Sequence, residues 1–134
     1  MSEQSAQAAA PQEMQSGSLV RFFDLQALAT FREEGPTIRV MTETRHARIL
    51  LLAFKAGQQL KEHRTTSQLF VQVLRGHIIF TVQEQSFQLT AGTALQVAAA
   101  TPHSLSAPVE SVVLLTMIAD LASPQNTRGE ASNA

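Results

Sequence analysis

The stretch that decides the fold runs from residue 57 to residue 103 and reads GQQLKEHRTTSQLFVQVLRGHIIFTVQEQSFQLTAGTALQVAAATPH. Gly57 stands six residues before His63, and Gly92 stands eleven residues before His103. Between them, Gly76 separates two runs that are rich in β-branched and aromatic residues. Gly76 can take the positive φ angle that a tight turn between strands requires.

Outside and inside this stretch the apolar residues recur with a period of two, which is typical of β-strands. The two runs at 69–74 and 77–82 are predicted to form an antiparallel hairpin about Gly76. Further strands are predicted at 37–41, 47–54, 87–89, 95–97, 103–106 and 112–119. One short helix is predicted over 25–33, with Asp24 as its N-cap and Gly35-Pro36 as its stop. The pattern therefore predicts an all-β sandwich or barrel of about nine or ten strands.

The spacing of these glycines and histidines resembles the two consensus motifs of the cupin superfamily, G-x5-H-x-H-x3,4-E-x6-G and G-x5-P-x-G-x2-H-x3-N. The glycines and the outer histidines coincide with the motifs. The second histidine position is Thr65 and the glutamate position is Leu69, while the proline, glycine and asparagine of the second motif fall on Ala98, Ala100 and Ala107. The resemblance implies a small single-domain cupin, an RmlC-like jelly-roll β-barrel.

The resemblance also implies where a site would lie. In cupins, three histidines and a glutamate converge inside the barrel and hold a divalent metal ion. Here only His63 and His103 remain of that set, so we expect an incomplete metal site with no cofactor or a weakly held divalent metal. The expected pocket is apolar with a polar end, and Phe80, Val82 and Met117 are further candidates for its wall. Its predicted ligand-binding residues are His63, Thr65, Leu69, Val71, Val73 and His103.

Three functions stay open from the sequence. The first is a cupin that binds a small molecule of unknown identity without a full metal site. The second is a metal-dependent cupin enzyme, an isomerase or dioxygenase, that uses His63 and His103. The third is a sensor of a small ligand. The sequence does not decide whether the protein is an enzyme.

Composition excludes several other classes of function. The chain has no cysteine, which rules out disulfides, cysteine-ligated zinc and thiol catalysis. A net charge of −1 gives no reason to expect nucleic acid. The densest basic spot, Arg45-His46-Ala47-Arg48, is interpreted as a solvated strand edge. No apolar run approaches the ~20 residues that span a bilayer, so a soluble cytoplasmic protein without a membrane partner is predicted.

The expected domain organisation is a disordered leader at 1–17, a barrel domain at 18–121 and a flexible tail at 122–134. The leader has no Lys or Arg and no apolar core, so it does not resemble a signal peptide. We also expect a homodimer, formed through the apolar segment 19–23 and an outward sheet face that carries Phe70, Leu74 and Ile79.

Overall fold

The computed structural model describes residues 19–119, which fall into two units that divide between Thr30 and Phe31. The predicted leader 1–17 and tail 122–134 lie outside the described residues. The first unit contains α1, Leu25–Leu28, which begins at the predicted N-cap because the Asp24 carboxylate accepts a hydrogen bond from Ala27 N at 3.2 Å. This helix is shorter than predicted, since Ala29 already has extended backbone angles. A single helical turn forms too few hydrogen bonds to offset the entropic cost of helix nucleation, so its stability depends on packing. Leu28 is the only buried residue of α1.

The second unit is all-β, as predicted, and its described residues form nine antiparallel strands. In chain order they are β1 Thr37–Glu43, β2 Ala47–Phe54, β3 Gln59–His63, β4 Gln68–Arg75, β5 His77–Val82, β6 Gln85–Thr90, β7 Ala94–Val97, β8 His103–Ser106 and β9 Ser111–Ile118. They make two sheets, with strand orders β1-β2-β9-β4-β7 and β3-β8-β5-β6. Facing sheets of this kind form the two walls of a jelly roll.

The predicted hairpin between β4 and β5 is wrong, although both strands are where the sequence placed them. β4 pairs with β7 and β9, while β5 pairs with β6 and β8. Gly76 is therefore a corner at which the chain crosses from one sheet to the other. Its φ is +93°, and a Cβ there would overlap the side chain of Ser111 and the carbonyl of Glu110, so only glycine fits without a shift of backbone.

This crossing also corrects the expected dimer face. Phe70 and Leu74 lie on β4 in the five-stranded sheet, whereas Ile79 lies on β5 in the four-stranded sheet. Because the two strands belong to different sheets, the three residues cannot form one continuous patch on a single sheet. The prediction was wrong because the local sequence pattern did not reveal that the chain changes sheets at Gly76.

Strand register arranges the inner face of the five-stranded sheet in rows, because directly opposed residues of antiparallel strands project to the same side. Each row takes one residue from β2, one from β9 and one from β4. The two inner rows are apolar: Leu52–Val113–Val73 and Leu50–Leu115–Val71. The outermost row is Arg48–Met117–Leu69.

The four-stranded sheet presents matching rows from β3, β8 and β5. Leu60–Leu105–Phe80 is the inner row, and His63–His103–Val82 is the outer row. A register shift between Leu60 and His63 sets the two histidines directly opposite each other. We call the end of the barrel that carries the two outer rows the barrel mouth. No helix among the described residues is long and apolar enough to cross a membrane.

Candidate functional site

The barrel mouth brings His63 and His103 together, although forty residues separate them in the chain. Their positions are paired across β3 and β8, and the ring centroids lie 4.5 Å apart with the ring planes at 59°. Both rings line the same small cavity in the barrel interior. The motif spacing predicted this meeting, and the structure shows it.

A backbone carbonyl orients each of the two imidazoles. His63 Nδ1 lies 2.8 Å from the carbonyl oxygen of Lys61, and His103 Nδ1 lies 2.8 Å from the carbonyl oxygen of Thr101. A carbonyl oxygen only accepts hydrogen bonds, so each Nδ1 carries the proton and donates it. In the neutral rings, both Nε2 atoms are then hydrogen-bond acceptors or ligands with a free lone pair.

The two histidines differ in burial. His63 is exposed, whereas His103 is only 3% exposed and stacks on Phe80, with ring centroids 5.5 Å apart and an interplanar angle of 11°. Burial lowers the pKa of His103 below its ordinary value of 6.5, and the nearby His63 lowers it further against the opposing effect of the Thr101 carbonyl. His103 is therefore neutral at pH 7. Within residues 19–119 its Nε2 has no hydrogen-bond partner.

The cavity beside the pair is small and mainly apolar. Its volume is about 20 Å³, which is the room of roughly one water molecule. Apart from the two histidines, its wall consists of Leu52, Leu60, Leu69, Val71, Phe80, Leu105, Val113 and Leu115. The barrel interior is thus closely packed, and an organic ligand would place only one polar atom beside the rings in this conformation.

The structure distributes the other predicted pocket residues unevenly. Leu69 and Val71 line the cavity, as expected, but Val73 lies in the core beyond its wall. Thr65 lies in the loop after β3, where its Oγ1 donates to the Ser67 carbonyl and accepts from the Ser67 N–H. Because β3 ends at His63, Thr65 does not extend the inner face of that strand.

Several cavity residues were not predicted, among them Leu52, Leu105 and Val113. Alternation within 47–54 and 112–119 was the available signal for two of them, since it marks which residues share a face. The sequence does not state which strands are neighbours, so it could not place those faces around the histidines.

The chain belongs to the cupin domain family, whose sequence model matches residues 50–119, just over half of the chain. A comparison with the sequences of curated proteins gives no significant match. Solved structures share the fold at low sequence identity. A cupin superfamily protein from Desulfitobacterium hafniense is 21% identical over 75% of this chain and 92% of its own, with a TM-score of 0.69.

Two further structures are similar to the same degree. An RmlC-like cupin protein from Desulfovibrio desulfuricans is 24% identical over 74% of this chain and 96% of its own, with a TM-score of 0.69. A conserved protein of unknown function from Streptococcus pyogenes is 18% identical over 81% and 93%, with a TM-score of 0.68. At these identities the likeness establishes the jelly-roll fold and no ligand.

The residues present do not fit the four-ligand metal set that is associated with this fold. Leu69, at the glutamate position, is apolar and only 2% exposed, and the Thr65 hydroxyl is engaged by Ser67. Across the described part of the chain, no group of three His, Asp, Glu or Cys side chains is close enough together to hold a metal ion. The site thus has two fixed imidazoles and no carboxylate.

Proposed function

We propose that this chain is a small-molecule-binding cupin in which His63 and His103 hydrogen bond a ligand at the barrel mouth without a complete metal site. The observation that carries the proposal is the buried His103 side chain, which lines the cavity and whose Nε2 has no hydrogen-bond partner within residues 19–119. A buried polar atom without a hydrogen bond costs about 1–3 kcal/mol, so it favours a ligand or water that satisfies it.

The geometry favours a particular mode of binding. Both Nδ1–H groups donate to backbone carbonyls, so each ring in its neutral form has its Nε2 left as an acceptor and no ring donor left for a ligand. A ligand that complements the pair would therefore present a hydroxyl, amine or amide donor. The small cavity admits only that group, and the remainder of the ligand would lie outward, past the exposed His63.

A metal-dependent isomerase or dioxygenase is the second candidate. One observation favours it: each histidine donates its Nδ1 proton to a backbone carbonyl. Histidines that bind metals through Nε2 make the same hydrogen bond. Two imidazoles alone are a weak metal site, because a metal ion would keep most of its ligands as water. Ligand binding is therefore favoured over metal-dependent catalysis as the function of the histidine pair.

A fragment screen read by NMR tests the proposal on histidine-labelled protein. We expect fragments that carry hydroxyl or amine donors to shift the Nε2 resonances of His63 and His103. The same fragments should lose affinity for His63→Gln and His103→Gln, and should keep it for the control His77→Gln, because His77 Nε2 already contacts Gln88 Oε1. If no fragment moves either resonance while a divalent ion binds tightly, the metal-dependent candidate replaces this one.

We further propose that the chain forms a homodimer in which the segment 19–23 takes part. Leu19, Val20 and Phe22 are exposed apolar side chains within five consecutive residues, and contiguous exposed apolar groups commonly mark protein–protein contacts. Light scattering on the purified protein is expected to give twice the monomer mass, and Val20→Ser with Phe22→Ser should raise the fraction of monomer. A monomer at micromolar concentration would refute the dimer.

A further inference from the structure

A second cleft adjoins the barrel mouth and is much larger than the histidine cavity. Its volume is about 190 Å³, against about 20 Å³ for the cavity. Its wall includes the whole turn between β1 and β2, from Glu43 to Arg48, together with Ser67, Met117 and Ala119. None of these residues lines the histidine cavity, so the cleft is a separate site.

The register of three strands fixes where this cleft lies. Arg48 on β2 is paired with Met117 on β9, and Met117 is paired in turn with Leu69 on β4. Leu69 belongs to the wall of the histidine cavity, and Ser67 of the cleft lies in the loop that follows His63. The cleft is therefore at the same end of the barrel as the histidine pair.

Hydrogen bonds from the Thr44 side chain and from the backbone hold the turn in shape. Thr44 Oγ1 accepts from the N–H groups of His46 and Ala47 at 3.1 and 3.0 Å, and Thr44 N–H donates to the Ala47 carbonyl at 2.8 Å. The His46 carbonyl accepts from Ala119 N–H at 2.8 Å, which ties the turn to the end of β9. A preformed cleft loses less conformational entropy when it binds a ligand.

The charges of the cleft favour an anion. Arg48 Nη2 lies 3.4 Å from Glu43 Oε2, so one of the two guanidinium groups is partly neutralised. Arg45 has no ion pair in the described part of the chain, and His46 stands beside it. The wall of the cleft therefore carries two arginines and one glutamate. The sequence suggested only a solvated strand edge here, because a linear pattern does not show that the basic side chains surround a cavity.

We propose that this cleft binds the anionic group of a small molecule, a carboxylate or a phosphate, through Arg45 and Arg48. Guanidinium groups match the planar or tetrahedral oxygens of these anions and form strong charge-assisted hydrogen bonds with them. Glu43 competes with the ligand for Arg48, and its removal would strengthen anion binding. None of the residues that would bind the anion belongs to the histidine cavity.

Titration with inorganic phosphate and with succinate, followed by calorimetry and by the Nε–Hε resonances of arginine, tests the proposal. Arg45→Gln and Arg48→Gln should each weaken binding about tenfold, as expected for the loss of a charge-assisted contact. Glu43→Gln should strengthen it several-fold, and the matched control Arg39→Gln, an exposed arginine of β1 outside the cleft, should leave it unchanged. The two anions show whether phosphate or carboxylate is the preferred group.

Three results would overturn the proposal. One is affinity for both anions no higher than for chloride, and another is equal affinity in the wild type, Arg45→Gln and Arg48→Gln. The third is loss of binding in His63→Gln with retention in Arg48→Gln, which would place the anion at the histidine pair. An anion at the pair would also contradict the donor group proposed for the ligand there, whereas loss of anion binding at the cleft alone leaves the fragment screen on His63→Gln and His103→Gln untouched, so the two proposals fail separately. Melting temperatures verify that each variant folds.

Discussion

The two ends of the barrel differ in how completely their buried polar groups are paired. At the end opposite the mouth, Ser111 is fully buried, and its Oγ accepts from His77 N–H at 3.0 Å and also contacts the His77 and Val109 carbonyls at 3.0 and 2.8 Å. At the mouth, the buried His103 retains an Nε2 atom without a partner in residues 19–119. We call the first region the glycine corner, after Gly76, which lies against Ser111.

Under the proposed function, the glycine corner is constrained by folding and the mouth by ligand binding. The glycine corner has its hydrogen bonds satisfied and no space to spare, so substitutions there should affect stability. At the mouth, His103 Nε2 has no partner within residues 19–119 and His63 is exposed, so substitutions there should affect binding more than folding. Natural proteins commonly give up some stability at sites of function.

Replacement of Gly76 by alanine should have the largest effect on stability. The new Cβ would overlap the backbone of Glu110 and Ser111 at a φ of +93°, so the corner must open. We expect a loss of at least about 4 kcal/mol in the free energy of unfolding, measured by urea denaturation.

Gly57→Ala is the matched control for Gly76→Ala, because the φ of Gly57 is +89° but no atom lies within 4 Å of the added Cβ. It should cost about 1–2 kcal/mol for the backbone strain alone. Equal losses in the two variants would contradict the packing argument.

Leu69→Glu should exchange stability for metal binding at the mouth. A carboxyl group would replace a buried leucine beside the histidine pair, at an expected cost of about 2–4 kcal/mol in the metal-free protein. It would also give the pair a third ligand, so Zn²⁺ affinity should rise at least about tenfold by calorimetry.

Phe70→Glu is the control for this variant, since Phe70 is exposed on β4 and does not line the cavity. The Phe70→Glu substitution should change the free energy of unfolding by no more than about 1 kcal/mol. It should leave the affinity for Zn²⁺ unchanged. A Leu69→Glu protein that binds zinc no better than the wild type would show that the two histidines are not oriented toward position 69.

The pH dependence of stability should show the burial of His103 as a smaller effect. Its pKa in the folded state is lower than the ordinary value of 6.5, so the unfolded chain binds more protons as the pH falls below that value. Stability from this group is complete above pH 6.5 and is lost as the pH falls toward the folded-state pKa. The melting temperature of the wild type should therefore fall between about pH 7 and pH 5 more than that of His103→Gln. His77→Gln should retain the full decrease, and identical profiles for the wild type and His103→Gln would contradict the assignment.

The sequence predicted those parts of the molecule that depend on local patterns. The alternation of apolar residues predicted the positions of β4 and β5 correctly. The motif spacing predicted that His63 and His103 line one cavity. The predicted pairing of β4 with β5 was wrong because a glycine between two strands is compatible with both a hairpin turn and a corner between sheets. Only the long-range register distinguishes the two. Long-range register also places Met117 of β9 beside Arg48 in the wall of the cleft, so the local sequence pattern did not predict the cleft. The helix was overestimated, since Leu25 and Phe31 are only half-buried and do not support a longer amphipathic face.

Zinc titration of the chelator-treated wild type tests the central claim most directly, namely that the mouth presents a pair of imidazoles rather than a complete metal centre. Half the ligands of a complete site should supply about half of its 10–16 kcal/mol, which corresponds to a dissociation constant of about 1 µM or weaker. His63→Gln and His103→Gln should each remove even this binding. Calorimetry that instead shows one equivalent of Zn²⁺, Mn²⁺ or Ni²⁺ bound at nanomolar affinity would contradict the claim and favour the metal-dependent enzyme.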